Sequence, residues 1–193
     1  MKLPSGLRSA SLFGLLVLLM LSTRFKHFGD VLHLADASMA VFFVGGLMLR
    51  RHAMFASLVA LAMGLDWVAI QYAGVSDFCV TPAYAFLPLA YAVLWYGGRW
   101  YAPRLRSSMA ALLGAWAVAP LAASLSFAIS NGAFYWLGGR YAQPHVAEYV
   151  SRLWQWGPLF VRTTLAYVAV ALVAYAIVAG LMSKRGVSLA QQA

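Results

Sequence analysis

Cys79 is the single sulfhydryl of the chain, set in Asp77-Phe78-Cys79-Val80-Thr81-Pro82-Ala83-Tyr84 between two long apolar stretches. A thiolate is a soft donor, and with carboxylate, phenol and imidazole groups beside it, it can hold a transition metal. The plain alternative is that a lone cysteine in an apolar chain packs as a small hydrophobe. The groups that would accompany it are few: Asp30, Asp36, Asp66, Asp77 and Glu148, with His27, His33, His52 and His145. Asp66 and Asp36 fall inside apolar runs, where a carboxylate costs several kcal/mol unless it is paired or faces water. Each is therefore either a functional group or a buried hydrogen-bonding glue between helices.

Other chemistries lack their residues. The chain has no Gly-x-x-x-x-Gly-Lys-Ser/Thr phosphate loop, so no ATP site of that kind, and no His-Glu-x-x-His or Gly-x-Ser-x-Gly sequence. Ser124, Ser126 and Ser130 recur at near-helical spacing, but no histidine falls on a neighbouring inner segment to activate them. With one cysteine there is no intrachain disulfide and no zinc-type Cys-x-x-Cys pair.

The elements that position these groups are membrane spans. A chain of 193 residues that is 63% hydrophobic and 10% charged cannot clothe a water-soluble domain. Its net charge of +9 sits in short clusters between apolar runs, the pattern of membrane topology and not of nucleic-acid binding. Six runs approach the roughly 20 residues needed to cross a bilayer. They lie at about 9–23, 34–49, 53–74, 80–98, 108–133 and 158–182. The expected fold is an all-α integral membrane protein of one six-helix domain spanning residues 1–193. The first run, with Arg8 and Arg24 snorkelling at its ends, reads as a retained helix, because Leu21-Ser22-Thr23 offers no small-x-small cleavage site.

Orientation follows from Lys and Arg. With the N-terminus inside, nine basic residues (Lys2, Arg8, Arg50, Arg51, Arg99, Arg104, Arg106, Lys184 and Arg185) fall on the cytoplasmic side. Four, Arg24, Lys26, Arg140 and Arg152, fall outside, which places both termini in the cytoplasm. Asp66 then stands fifteen residues beyond Arg51, about 22 Å from the cytoplasmic end of its helix, and Asp36 is at a similar depth. Cys79 opens the fourth helix, with Pro82 in its first turn and Thr81 as a local cap. Pro88 and Pro120 are expected to kink helices four and five and open space between their outer halves. Residues 134–157 read as an outer loop rich in Tyr and Trp, serving as an interfacial belt with a short amphipathic helix, a lid over an outer site, or both. His33 and Asp36, three apart, share a face and can simply pair. Together Cys79, Asp66, Tyr84, His27 and Arg152 gather on one leaflet, and this favours an outward-facing ligand pocket.

Six short spans, cytoplasmic termini and an outer pocket look like the substrate-binding (S) component of energy-coupling-factor vitamin transporters. The chain more closely resembles the BtuM family of cobalamin (vitamin B12) S-components, over essentially its whole length. The resemblance is carried by His27-Phe28-Gly29-Asp30, Gly64-Leu65-Asp66-Trp67, the Cys79 to Tyr84 run, and Glu148-Tyr149-Val150-Ser151-Arg152. It implies a bacterial inner-membrane uptake protein, not an enzyme, that holds a corrinoid in the outer cavity. It makes Cys79 the axial ligand of the corrin cobalt and puts His27, Asp66, Tyr84 and Arg152 around the ligand. It also implies that cyanide can leave cyanocobalamin in the site. The remaining partner it implies is a coupling module of membrane subunit and ATPases, reached through small residues such as Ala10 and Gly14, although solitary members exist. Two other readings remain open: a haem-binding electron-transfer protein using His27, His33 or Cys79, and a ligand-free membrane assembly factor.

Overall fold

The computed structural model describes the backbone of residues 5–24 and 35–190, with side chains except at 5–8, 79 and 183–190. All regular structure among these residues is helical: α1 Ser5–Arg24, α2 Ser38–Met48, α3 His52–Tyr72, α4 Leu87–Tyr101, α5 Met109–Leu137 and α6 Val146–Ala190. Three short 3₁₀ turns, Asp77–Cys79, Pro82–Phe86 and Ala102–Arg104, lie in the connections.

A helix that is apolar on every side belongs in the middle, and α2 takes that place. Nearly all of Ser38 to Leu47 is buried, and α2 packs most extensively on α4, then on α1, α6 and α3. Its crossing with α4 is set by glycine. A Cβ on Gly46 would collide with the Trp95 backbone, and one on Gly98 with the Phe43 carbonyl. Only a hydrogen side chain lets the two backbones approach so closely. Trp95 itself is fully buried beside Gly45, and Phe42 stacks on Tyr91 at 4.0 Å.

The helices alternate in direction, so the bundle has two chemically distinct ends. The end of α1, the last part of α3 and the starts of α2 and α4 meet through Arg24, Asp66, Ser38 and Tyr91. At the opposite end Arg99 donates to the Arg50 carbonyl, and Tyr96 bonds His52 across 3.0 Å. The first will be called the polar end and the second the basic end.

Three helices are long and apolar enough to cross a membrane: α3, α5 and the Val146–Met182 part of α6; α1 and α2 are apolar but shorter. Their outward faces carry large apolar side chains such as Leu121, Val170, Val173 and Ile177, all exposed. Such faces suit lipid and would aggregate in water. The chain is an all-helical membrane protein.

Local structure departs from the expected boundaries in three places. The stretch 134–157 is mostly helix, because α5 runs to Leu137 and α6 starts at Val146, leaving 138–145 as the connection. Tyr135 and Tyr149 pack between the helices, stacked at 5.8 Å with Tyr149 Oη donating to the Ala128 carbonyl, while Trp154 stays exposed. Pro158, where the last helix was expected to begin, lies inside α6. The fourth helix starts later than expected, at Leu87. Pro88 is therefore in its first turn, where the missing amide costs nothing, and does not kink it.

Candidate functional site

Arg24 organises the polar end. Its Nε and Nη2 donate to the two oxygens of Asp66, each at 2.6 Å, while Nη1 donates to Ser38 Oγ at 2.8 Å and Tyr91 Oη at 2.7 Å. Tyr84 Oη donates a further 2.6 Å bond to Asp66 Oδ2. Ser38 Oγ in turn donates to Asp36 Oδ1 at 2.6 Å, and Asp36 Oδ2 stands 3.8 Å from the guanidinium. One arginine from α1 thus fastens α2, α3 and α4. The bidentate geometry is the strong form of a charged hydrogen bond, and it neutralises Asp66 inside the bundle.

This corrects the sequence reading of Arg24. Its side chain is only 10% exposed and turns inward. Snorkelling to the interface would have left Asp66 unpaired in an apolar surrounding, the costlier arrangement. Asp36 is likewise not on the helix but just before it. There, one residue ahead of the N-cap Ala37, its Oδ1 accepts from the Ser38 amide at 2.9 Å and satisfies the first free amide of α2. The expected partner of Asp36, His33, lies outside the described residues, as does His27.

Above this cluster opens a cavity of about 520 Å³. That is the size of a small-molecule site. Asp66, Tyr84 and Arg152, singled out from the sequence, all line it, together with Ser126, Asn131 and aromatic rings including Phe78, Tyr141 and Trp156. Arg152 belongs to α6 and reaches the cavity over two rings, 4.9 Å from the centre of Tyr141 and 5.8 Å from that of Tyr135. Stacking on aromatic faces stabilises a cation without using its N–H donors. Arg152 Nε is buried and has no hydrogen-bond partner among the described residues, and neither has Asn131 Oδ1.

The rim is built from the segment after α3 and the connection after α5. Gly74, at φ +65°, releases the chain from α3, and Ser76 Oγ accepts from the Phe78 amide to shape the Asp77–Cys79 turn. Cys79 therefore sits in a separate turn, eight residues ahead of α4, and does not open that helix. Thr81 makes no side-chain cap, and its buried hydroxyl has no partner among the described residues. Arg140 ties the two rim segments together, donating from Nε to the Phe78 carbonyl at 3.2 Å and lying 4.9 Å over the Phe78 ring. Opposite, Tyr135 Oη accepts from the His145 amide at 2.9 Å and stands 2.9 Å from Glu148 Oε2. That contact fixes the start of α6. His145 is 3.7 Å from Glu148 and does not line the cavity.

Of Cys79 the structure describes the backbone alone. Its two neighbours bracket it: Phe78 lines the main cavity, and Val80 lines a smaller one of about 410 Å³. Asp66 and Tyr84 line both, so their hydrogen bond forms part of the wall between them. Arg24, Tyr91, Ser38 and Asn131 were missed as site residues. The signal for Arg24 was present, since a carboxylate within a span demands a cation at its own depth. No pattern marked Asn131.

No protein-family model matches the chain, and no curated protein matches it either.

Proposed function

We propose that this chain is a corrinoid-capturing membrane protein of the BtuM kind, with six spans, both termini in the cytoplasm and the polar end facing outward from a bacterial inner membrane. The observation that supports it most is the convergence of Asp66, Tyr84 and Arg152 on one open cavity that is also lined by Phe78, the chain neighbour of Cys79. A cavity of about 520 Å³ holds part of so large a ligand, and the open mouth leaves room for the rest. Aromatic rings cover the apolar edge of the macrocycle. Arg152 takes the phosphate-bearing tail or a ring-edge carbonyl, and Tyr84 and Asp66 bond peripheral amides. His27 completes the set.

Cys79 supplies the chemistry. Its thiolate donates an electron pair to cobalt from one axial side and weakens the bond on the other. With cyanocobalamin the cobalt–carbon bond breaks heterolytically, cyanide leaves with its electron pair, and cobalt stays in its trivalent state. The thiol proton passes to solvent or to the departing cyanide, so no oxidant or reductant is consumed. Uptake follows by reorientation of the bundle in the bilayer, alone or docked on a coupling module through the Ala10 to Gly14 stretch of α1. The described surroundings of Gly14 are open.

The decisive measurement is the visible spectrum of protein purified with cyanocobalamin. A thiolate-ligated corrinoid loses the cyano-form bands, and Cys79→Ala retains them and binds at least about tenfold more weakly. A Soret band from protein as isolated would replace the corrinoid reading with the haem one. Absence of any bound chromophore would favour the ligand-free assembly factor.

A further inference from the structure

We infer that Asn131 is a specificity-determining residue of this cavity, reading an uncharged carboxamide on the ligand. The inference rests on the corrinoid reading above, because a corrinoid carries primary amides around its ring. It begins from two orphaned atoms in residues that line the cavity. Asn131 Oδ1 is buried with no donor, and Arg152 Nε is buried with no acceptor, among the described residues. Both residues line the cavity.

Both residues lie along the seam between α5 and α6. Asn131 is one turn before Tyr135 on the same face of α5, and the Tyr135 ring lies 5.8 Å from the Arg152 guanidinium carbon. The neighbouring hydroxyl cannot satisfy Asn131 in passing, since Ser130 Oγ donates to the Phe127 carbonyl at 3.2 Å. The α5–α6 packing fixes the register. Tyr149, one turn before Arg152, bonds the Ala128 carbonyl at 2.8 Å. A Cβ on Gly132 would press on the same tyrosine.

An unused donor and an unused acceptor along one seam define the group that fits both. A primary carboxamide offers a carbonyl to Arg152 and an N–H to Asn131 Oδ1. A carboxylate satisfies Arg152 equally well but turns a second acceptor toward Asn131, leaving a buried oxygen without a donor. Arg152 therefore supplies affinity for either oxygen, and Asn131 tells amide from acid. The site would take amidated corrinoids and discriminate against their partly hydrolysed or incompletely amidated forms.

The experiment measures binding of cyanocobalamin and its separated peripheral monocarboxylic acids by calorimetry in detergent. Wild type, Asn131→Ala and Asn131→Asp are compared at neutral pH. Wild type is expected to bind cyanocobalamin at least about tenfold more tightly than one of the acids. Asn131→Ala should bring that ratio close to one by weakening the amide form. Asn131→Asp nearly preserves size and presents only acceptors, so it should widen the ratio. Opposite movement in the two variants is not what a general loss of packing would give. If wild type binds corrinoids but takes the acids as tightly, Asn131 turns its amide over to donate and the assignment falls. It falls equally if the ratio is unmoved in Asn131→Asp. If wild type binds no corrinoid, the reading beneath it fails too, which separates the two failures.

Discussion

Arg24 and Arg99 stand at opposite ends of one bundle and meet the demands of a guanidinium in different ways. Arg24 carries its charge inward and meets Asp66, Ser38 and Tyr91, with Asp36 close by. Arg99 stays at the other end and donates to the carbonyl of Arg50, where α2 has just ended. The described carboxylates, Asp36, Asp66, Asp77 and Glu148, all belong to the polar end. At the basic end Arg104 makes do with the Trp100 carbonyl at 3.3 Å and the Trp100 ring. The bundle is therefore held by complementary charge where it is hollow, and by close glycine crossings where it is solid. Charge changes should be severe at the first end and mild at the second, and added bulk should do the reverse.

The strongest test of that contrast is bulk at the crossing. In Gly46→Ala the new methyl meets the Trp95 backbone, which cannot rotate away as a side chain would. The cost should reach or exceed the upper end of the usual overpacking range, about 3 kcal/mol. It would be seen as a large fall in melting temperature in detergent. Gly64→Ala, whose new methyl meets open space inside α3, is the matching control and should keep or slightly raise the melting temperature, since alanine is the better helix former. Equal melting of the two variants would refute the claim that α2 and α4 depend on glycine contact.

Charge at the polar end comes next. Arg24→Ala leaves Asp66 with one phenol as its partner in a mostly enclosed place, at a cost of about 3 kcal/mol. That is the lower part of the range for breaking a buried pair, because 26% of the Asp66 side chain remains exposed. The double change Arg24→Met with Asp66→Leu should recover most of the melting temperature, since apolar side chains need no partners. Recovery of stability with continued loss of corrinoid binding would separate the structural from the ligand-binding part of Asp66. If the double variant melts as low as the single one, the pair is not the main bond at this end.

These two effects also show what the sequence could and could not reveal. Helical class and span-length apolar runs follow from the sequence pattern, and the structure has only helices among the described residues, three of them long and apolar enough to cross a membrane. Asp66 stands out as a carboxylate in an apolar run, and Tyr84 by following Cys79 at a little more than one helical turn and by the family resemblance. Arg24 was misread because snorkelling and inward pairing leave the same local sequence; only the three-dimensional neighbour, forty-two residues away, decides between them. The loop reading of 134–157 rests on Pro144 and the polar residues that interrupt the apolar pattern. Yet proline is tolerated where a helix is braced from outside, and Phe127 stacks on Phe160 at 5.1 Å just beyond Pro158. The cavity was legible as a leaflet and not as a shape. Asn131 was invisible because an asparagine near the end of a long helix commonly faces water, and its burial depends on α6.

The smallest expected effect sharpens the account of the basic end. Arg50 is the one described residue other than glycine with positive φ, at 64°, and it ends α2 by donating its amide to the Gly45 carbonyl at 3.2 Å. An L side chain in that conformation costs about 1 kcal/mol, which glycine does not pay. Arg50→Gly loses part of this gain because glycine has more unfolded-state freedom to surrender, roughly 0.5–1 kcal/mol. The net should be a slight rise in stability, up to about 0.5 kcal/mol. The backbone carbonyl that receives Arg99 is unchanged by the substitution, so that contact should persist. If charge mattered at this end as it does around Arg24, removing the Arg50 guanidinium would lower the melting temperature instead. A clear fall in melting temperature would mean that the basic end, too, is held by its charges.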